Sequence, residues 1–511
     1  MSANRKHQPK RVSNMQRNLR QPMRRDQIRE RRGNKHALPL KKEFKKAGGR
    51  EILTIKTQLL KMIVCNLQPL GITEDANFLD FAKALKPAQQ IPTKSVMQSL
   101  LLKVYKEKEK ELQSTLTSVE DIVLTCELWS SRSEDSYLTV RCHFVDNLGS
   151  LKSYILKTTG LFGDESPANI LNQLSAIMET WHVTEKVHTV VTAGMPQLKG
   201  SKTRWTHIPC FSDILNAIFK DVMNNNELSS VLNKCCNIIR FLKYDSEAEK
   251  ELRELQGKLH KKQTELIMCS RDRCLTWLDM LQPLDEQYSV MMIVINERGK
   301  TDLILNESDK KNIKNVISAL EPLKEATSMF KGKGFETISV VVPVISKLMD
   351  ALGEEAKRKN HVAKILLSKC QLEFGNVNEH KLATVTFLDP RYKNHLRDNA
   401  KNLAIKKIMM ELSASKENSA DKLKVQLDKY KAYKPNAQES NPLAWWRYTG
   451  KEEFSLLSKH AVKRLGVVST AVPLEKAFSR AGDQFCNLRS SIEPENLNMV
   501  LFLNSNWSTQ S

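Results

Sequence analysis

The sequence predicts a mixed α/β core set within a chain that is otherwise helical. Three observations carry that prediction. Between Asp121 and Gly194 the residues read strand, hairpin, helix, strand. Apolar residues spaced by three and four fill most of the chain on either side. The charge is also uneven: net +22 over 511 residues, most of it at the N-terminal end. That length allows two to four domains with real cores, and 41% apolar residues exclude a chain disordered throughout. No apolar run approaches the ~18 residues of a membrane span, and the N-terminus lacks the apolar core of a secretory signal. The ten Cys are scattered without a C-x-x-C pair. Neither a disulfide framework nor a Cys-rich zinc site is indicated, and a reducing compartment fits.

Residues 1–50 hold seventeen Lys/Arg against three acids and so fourteen of the net +22. With one aromatic, Phe44, this segment cannot bury enough surface to offset its ordering entropy, and it is expected to be a disordered basic arm. Its clustered cations, Arg24, Arg25, Arg29, Arg31, Arg32, Lys41, Lys42, Lys45 and Lys46, are the expected phosphate contacts, because binding nucleic acid there releases counterions. A solubilising tail is the bland alternative. Residues 51–117 read as two helices, ILTIKTQLLKMIVCNLQPL and KSVMQSLLLKVYKEKEKELQ. Cys65 within the first reads as a core thiol. His7 and His36 have no Cys near them, so no zinc finger is legible.

Residues 118–225 carry the strand pattern. DIVLTCELW is a buried strand ending near Glu127. SYLTVRCHFVD and GSLKSYILKTTGL form a hairpin turning at Asp146–Gly149. DESPANILNQLSAIMETW is a helix opened by Asp164 with Pro167 in its first turn, and EKVHTVVTAG is another buried strand. This order resembles the ribonuclease-H-like nuclease fold, whose metal-binding acids end the first and fourth strands; Glu127 and Ala193 lie there. Residues 226–440 read as helices, including EKELRELQGKLHKKQTELI and DKLKVQLDKYKAY, with charged solvated faces.

The end of the chain, residues 441–507, carries a more specific resemblance. NPLAWWR, then LLSKHAVKRLGVVSTAVPLEKAFSRAGDQFCNLRSSIEPENLNMVLFLNSNW, is similar to the dimerisation region of hAT-superfamily transposases and of their domesticated vertebrate relatives, the BED-type zinc-finger proteins. The matching residues are Trp445, Trp446, Glu475, Phe478, Ser479, Ala481, Gly482, Arg489, Pro494, Glu495, Phe502 and Leu503. TFLDPRYK (Thr386–Lys393) resembles a further family segment. The resemblance implies an α/β plus α architecture. A ribonuclease-H-like domain at 118–225 is interrupted by an all-α insertion at 226–440 and completed at 441–507, which also dimerises. Trp445, Trp446, Phe478, Val500, Leu501 and Phe502 are the expected contacts between two subunits; the alternative is that the apolar residues of this region complete the core of their own subunit.

Active members of the resembled family use an Asp-Asp-Glu triad, with Trp two residues after the first Asp. Here the first position is Glu127 with Trp129 retained, the second is Ala193 followed by Gly194, and the third is Glu475. The family's Cys-x-x-His becomes Cys210-x-x-Asp213, and its Thr-Arg-Trp becomes Asp272-Arg273-Cys274. Two-metal strand cleavage needs carboxylates around two Mg²⁺ about 4 Å apart. Glu for Asp moves the carboxylate by about 1.5 Å; Ala for Asp removes a ligand outright. The expectation is therefore a non-catalytic nuclear protein, without metal or cofactor, that binds DNA as a homodimer in transcription regulation or chromatin association. An active or partly active transposase, and an interaction scaffold without DNA binding, are the alternatives.

Overall fold

The computed structural model describes residues 55–507, except 88–89, 132, 162, 271, 329–335, 376–381, 414–419, 435–440, 474–475 and 477–479. The basic arm, Glu475 and Phe478 therefore lie outside the described residues.

Five strands form one sheet: β1 (Ile122–Ser130), β2 (Ser136–Val145), β3 (Leu151–Gly160), β4 (Val187–Ala193) and β5 (Thr206–Pro209). Their order is β3-β2-β1-β4-β5. The β1–β2 and β2–β3 pairs are antiparallel; β1–β4 and β4–β5 are parallel. The central strand is apolar on both faces because both faces are covered. Ile122, Leu124 and Cys126 face one core with the N-terminal helices, while Val123 faces another with Val191, Ala193 and the helices after β5.

The turn chemistry explains the hairpin. The Asp146 carboxylate accepts from the amides of Leu148 (2.9 Å) and Ser150 (2.8 Å). Gly149 sits at φ +74°, and a Cβ there would lie 2.4 Å from Ala444 Cα. Only glycine permits that turn and that close approach. The helix Pro167–Thr180 opens two residues later than expected. Ser166 is its cap, accepting from the Asn169 amide, with Pro167 at the first position; Asp164 shapes the preceding turn by accepting from the Ser166 amide at 2.9 Å. Strand β5 is not legible in the sequence, since four half-exposed residues, THIP, carry no strand period.

From Phe211 to Leu465 the elements among the described residues are helical. The TFLDPRYK segment clips them together. Buried Asp389 accepts from Ser339 Oγ (2.7 Å) and from Arg391 Nη2 (2.9 Å), and fully buried Lys393 donates to the Tyr430 carbonyl (2.5 Å).

The helix Pro494–Trp507 lies on β3 and on the helix Lys94–Thr117. β3 is an edge strand whose backbone groups need partners. Asn506 supplies them through its Oδ1 to the Ile155 amide and its Nδ2 to the Ile155 carbonyl, both 3.0 Å. Asn498 accepts from the Thr158 amide at 2.9 Å. Phe502 meets Tyr105 edge-on, ring centroids 4.9 Å apart.

This packing corrects the expected subunit contacts. Val500, Leu501 and Phe502 are at most 2% exposed in the core of their own chain, and Trp445 and Trp446 are buried among Tyr430, Leu443 and Phe454. The terminal helix has a sheet edge to cover, and covering it consumes the apolar face that was expected to be shared with a partner.

Candidate active site

The parallel pairing of β1 and β4 places Glu127 directly opposite Ala193. Neighbouring strands lie about 4.8 Å apart, so a carboxylate at 193 would stand beside that of Glu127. The Ala193 methyl instead packs in an apolar cluster with Val191, Cys210 and Phe211, 6% exposed. Gly194 is at φ +73°, where a Cβ would lie 2.7 Å from the Leu128 carbonyl oxygen. No side chain fits at the position where the resembled family has Asn.

Glu127 is engaged by a cation. Its Oε1 lies 3.0 Å from Nη1 of Arg489, whose side chain is 2% exposed. The Arg489 guanidinium stacks 3.6 Å from the Trp129 ring centroid. Trp129 is held in turn by donating to Thr139 Oγ1 at 3.0 Å and by stacking on Tyr137. A desolvated contact of this kind contributes about 2 kcal/mol. The retained Trp thus serves as the platform on which Arg489 meets Glu127, and the additional methylene of Glu extends the carboxylate toward the guanidinium.

A second carboxylate reaches the same strand ends by another route. Asp213, in the first turn of the helix Phe211–Met223, accepts from the Gly194 amide at 2.7 Å. Burial pushes its carboxyl above the ordinary range despite that bond, and the nearby Glu127 charge adds to the shift. Arg273, the surviving residue of Asp272-Arg273-Cys274, donates to the Lys476 carbonyl at 2.6 Å. On the sheet, Arg141 donates to Ser505 Oγ at 2.6 Å. Burial pushes its guanidinium down to about 10, with the Glu127 charge opposing. Asp213, Arg141 and Lys476 carried no family motif in the sequence beyond the altered Cys-x-x-His, and only the folded register brings them to this place.

The described residues do not fit a two-metal centre. Glu127 is ion-paired, Ala193 offers no oxygen, and Asp213 is turned to a backbone amide. Among the described residues no group of three His, Cys, Asp or Glu is placed to hold a metal ion. Glu475 lies outside the described residues.

Comparison with known proteins gives two family matches. Residues 125–198 match the ZBED1 RNase-like domain, and residues 424–507 match the hAT family C-terminal dimerisation region. The chain is 20% identical over 374 residues to the putative AC transposase of Zea mays, covering 68% of this chain and 46% of the relative. It is 22% identical over 362 residues to the zinc finger BED domain-containing protein RICESLEEPER 2 of Oryza sativa subsp. japonica, covering 66% and 50%. These relatives are plant proteins, where the motif had pointed to vertebrate ones, and the chain spans about half of their length. The strand-end geometry, the two matched regions and these relatives agree that the chain carries a ZBED1-type RNase-like domain and a hAT dimerisation region, and is similar to hAT transposases and BED-type proteins.

Proposed function

We propose that this chain is a domesticated, catalytically inactive hAT transposase-like protein that dimerises and binds DNA in the nucleus, in gene regulation or chromatin association. The observation that carries the non-catalytic reading is the Glu127–Arg489 ion pair facing Ala193. A guanidinium already engages Glu127, and Ala193 opposite it has no ligand to offer. In this reading residues 118–225 and 441–507 make one ribonuclease-H-like domain, 226–440 is an all-α insertion, 51–117 is its helical prelude, and 1–50 is the arm that contacts phosphates. The match at 424–507 supports self-association. Among the described residues of that region, Val425 (67%), Tyr448 (53%) and Leu488 (40%) are the large apolar side chains left exposed, and they replace the buried ones as candidates for the contact.

Salt-titrated DNA binding tests the proposal. The full chain should bind duplex DNA with a steep salt dependence. Replacing Arg24, Arg25, Arg29, Arg31 and Arg32 by Gln should weaken binding and reduce the slope by several units, since each lost phosphate contact removes about 0.9. An unchanged slope, or no DNA binding at low salt, contradicts it.

A further inference from the structure

Two thiols from different elements meet in the helical part of the chain. Cys236, on the helix Asn226–Tyr244, has its Sγ 3.7 Å from the Sγ of Cys269. Cys269 lies in the segment 261–270, which has neither helix nor strand and falls between the helices Ser246–Lys258 and Cys274–Glu297. Side chains tether that segment. Lys243 donates to the Leu266 carbonyl at 2.8 Å, and Gln287 to the Lys262 carbonyl at 3.1 Å. A cavity of about 470 Å³, lined by Leu242, Gln256, Thr264 and Leu266, lies between it and its neighbours. The two thiols differ in access. Cys236 is buried and directs its S–H to Met280 Sδ at 4.0 Å, whereas Cys269 is half-buried. Redox-sensing thiols pair solvent access with a resolving thiol within reach. We propose that Cys236 and Cys269 form a reversible disulfide when the protein meets a hydroperoxide.

The thiolate of Cys269 attacks the terminal peroxide oxygen, and the O–O bond breaks. Cys269 becomes a sulfenic acid, and the rest of the peroxide takes a proton and leaves as an alcohol or as water. Cys236 then attacks the sulfenic sulfur and gives up its proton, and the hydroxyl departs as water. Two thiols are oxidised by two electrons, and one hydroperoxide is reduced by two. A dithiol reductant reverses the change, as suits a transient bond in a reducing compartment. Other cysteines are set apart by their surroundings. Burial pushes the thiols of Cys126, Cys142, Cys210, Cys235 and Cys370 up to about 12, which keeps them protonated and inert. Cys65 is exposed, not the core thiol expected, and so is open to reagents. The new bond ties the segment 261–270 to the helix Asn226–Tyr244 and closes a loop across 33 positions, which removes entropy from the unfolded chain. This inference depends neither on DNA binding nor on the strand-end site.

Peptide mapping without reductant tests it. The reduced full chain is treated with a small molar excess of hydrogen peroxide, blocked with iodoacetamide and digested with trypsin. The expected product joins CCNIIR (Cys235–Arg240) to QTELIMCSR (Gln263–Arg271), and fragmentation should place the bond at Cys236 and not at Cys235. In Cys236→Ala the link should vanish and dimedone should trap Cys269 as a sulfenic acid. In Cys269→Ala the link should vanish and Cys236 should stay unmodified. Oxidation should raise the melting temperature of the unsubstituted chain by a few degrees, an effect reversed by dithiothreitol and absent from Cys269→Ala. Exposed Cys65 serves as the reference for reagent access. Oxidation of Cys65 with no Cys236–Cys269 link, a link that persists in Cys236→Ala, disulfides formed only between chains, or a linked chain that melts no higher would each overturn the proposal. Mapping of the unsubstituted chain decides the matter even where an alanine variant fails to fold.

Discussion

Glu127 and Asp213 are two carboxylates at the same strand ends with opposite surroundings. Glu127 meets a guanidinium, and Asp213 meets apolar cover and one amide. Removing the charge of Glu127 leaves the 2%-exposed Arg489 without its counterion. Glu127→Gln should therefore destabilise the fold by about 2–4 kcal/mol, read by urea unfolding; unchanged stability would mean that the pair does not form. For Asp213 the sign is reversed. Its folded pKa is raised above 3.8, so the stability it contributes is present below 3.8 and is lost as pH rises through the folded value. Asp213→Asn keeps an oxygen for the Gly194 amide and removes that loss. The variant should gain on the unsubstituted protein as pH rises from 4 to 7, and parallel pH–stability curves would refute the assignment.

The elements of the sheet were legible because their patterns are long: an apolar run for β1, alternation for β2, a turn with Asp and Gly, and a capped helix before β4. The placing of Glu127 and Ala193 at the ends of two buried strands was legible for the same reason, and the register pairs the two residues directly. β5 was not, being too short to show a period. The terminal helix was misassigned for a different reason. Leu497, Val500, Leu501 and Phe502 announce burial but not against what, and the asparagines that bind β3 look like ordinary polar spacers in sequence. Since Phe502 is fully buried against Tyr105 and Trp181, Phe502→Ala should cost about 3–5 kcal/mol in unfolding free energy, and Phe502→Asp should unfold the chain. A folded, monomeric Phe502→Asp protein by light scattering would restore the discarded interface. Gly149→Ala forces a Cβ into the Leu443–Ala444 backbone and should cost about 2 kcal/mol or more by thermal melting.

For the whole molecule, buried histidines make stability fall in acid. Burial, then the Lys463 charge, pushes His188 down to about 4, and His143 is held well below the usual imidazole range by burial and by Arg141. A depressed folded pKa contributes stability above the unfolded value, near 6.5. That stability is lost as pH falls from 6.5 towards 4, about 3 kcal/mol for His188 alone. His188→Gln should flatten this part of the stability curve. The central claim, that the molecule binds DNA and does not cut it, is met most directly by incubating the purified full chain with end-labelled DNA in Mg²⁺ or Mn²⁺ and resolving the products on a denaturing gel. Intact strands, at protein concentrations where the DNA is fully bound, are the predicted result; metal-dependent nicks that disappear with Glu127→Gln would contradict it.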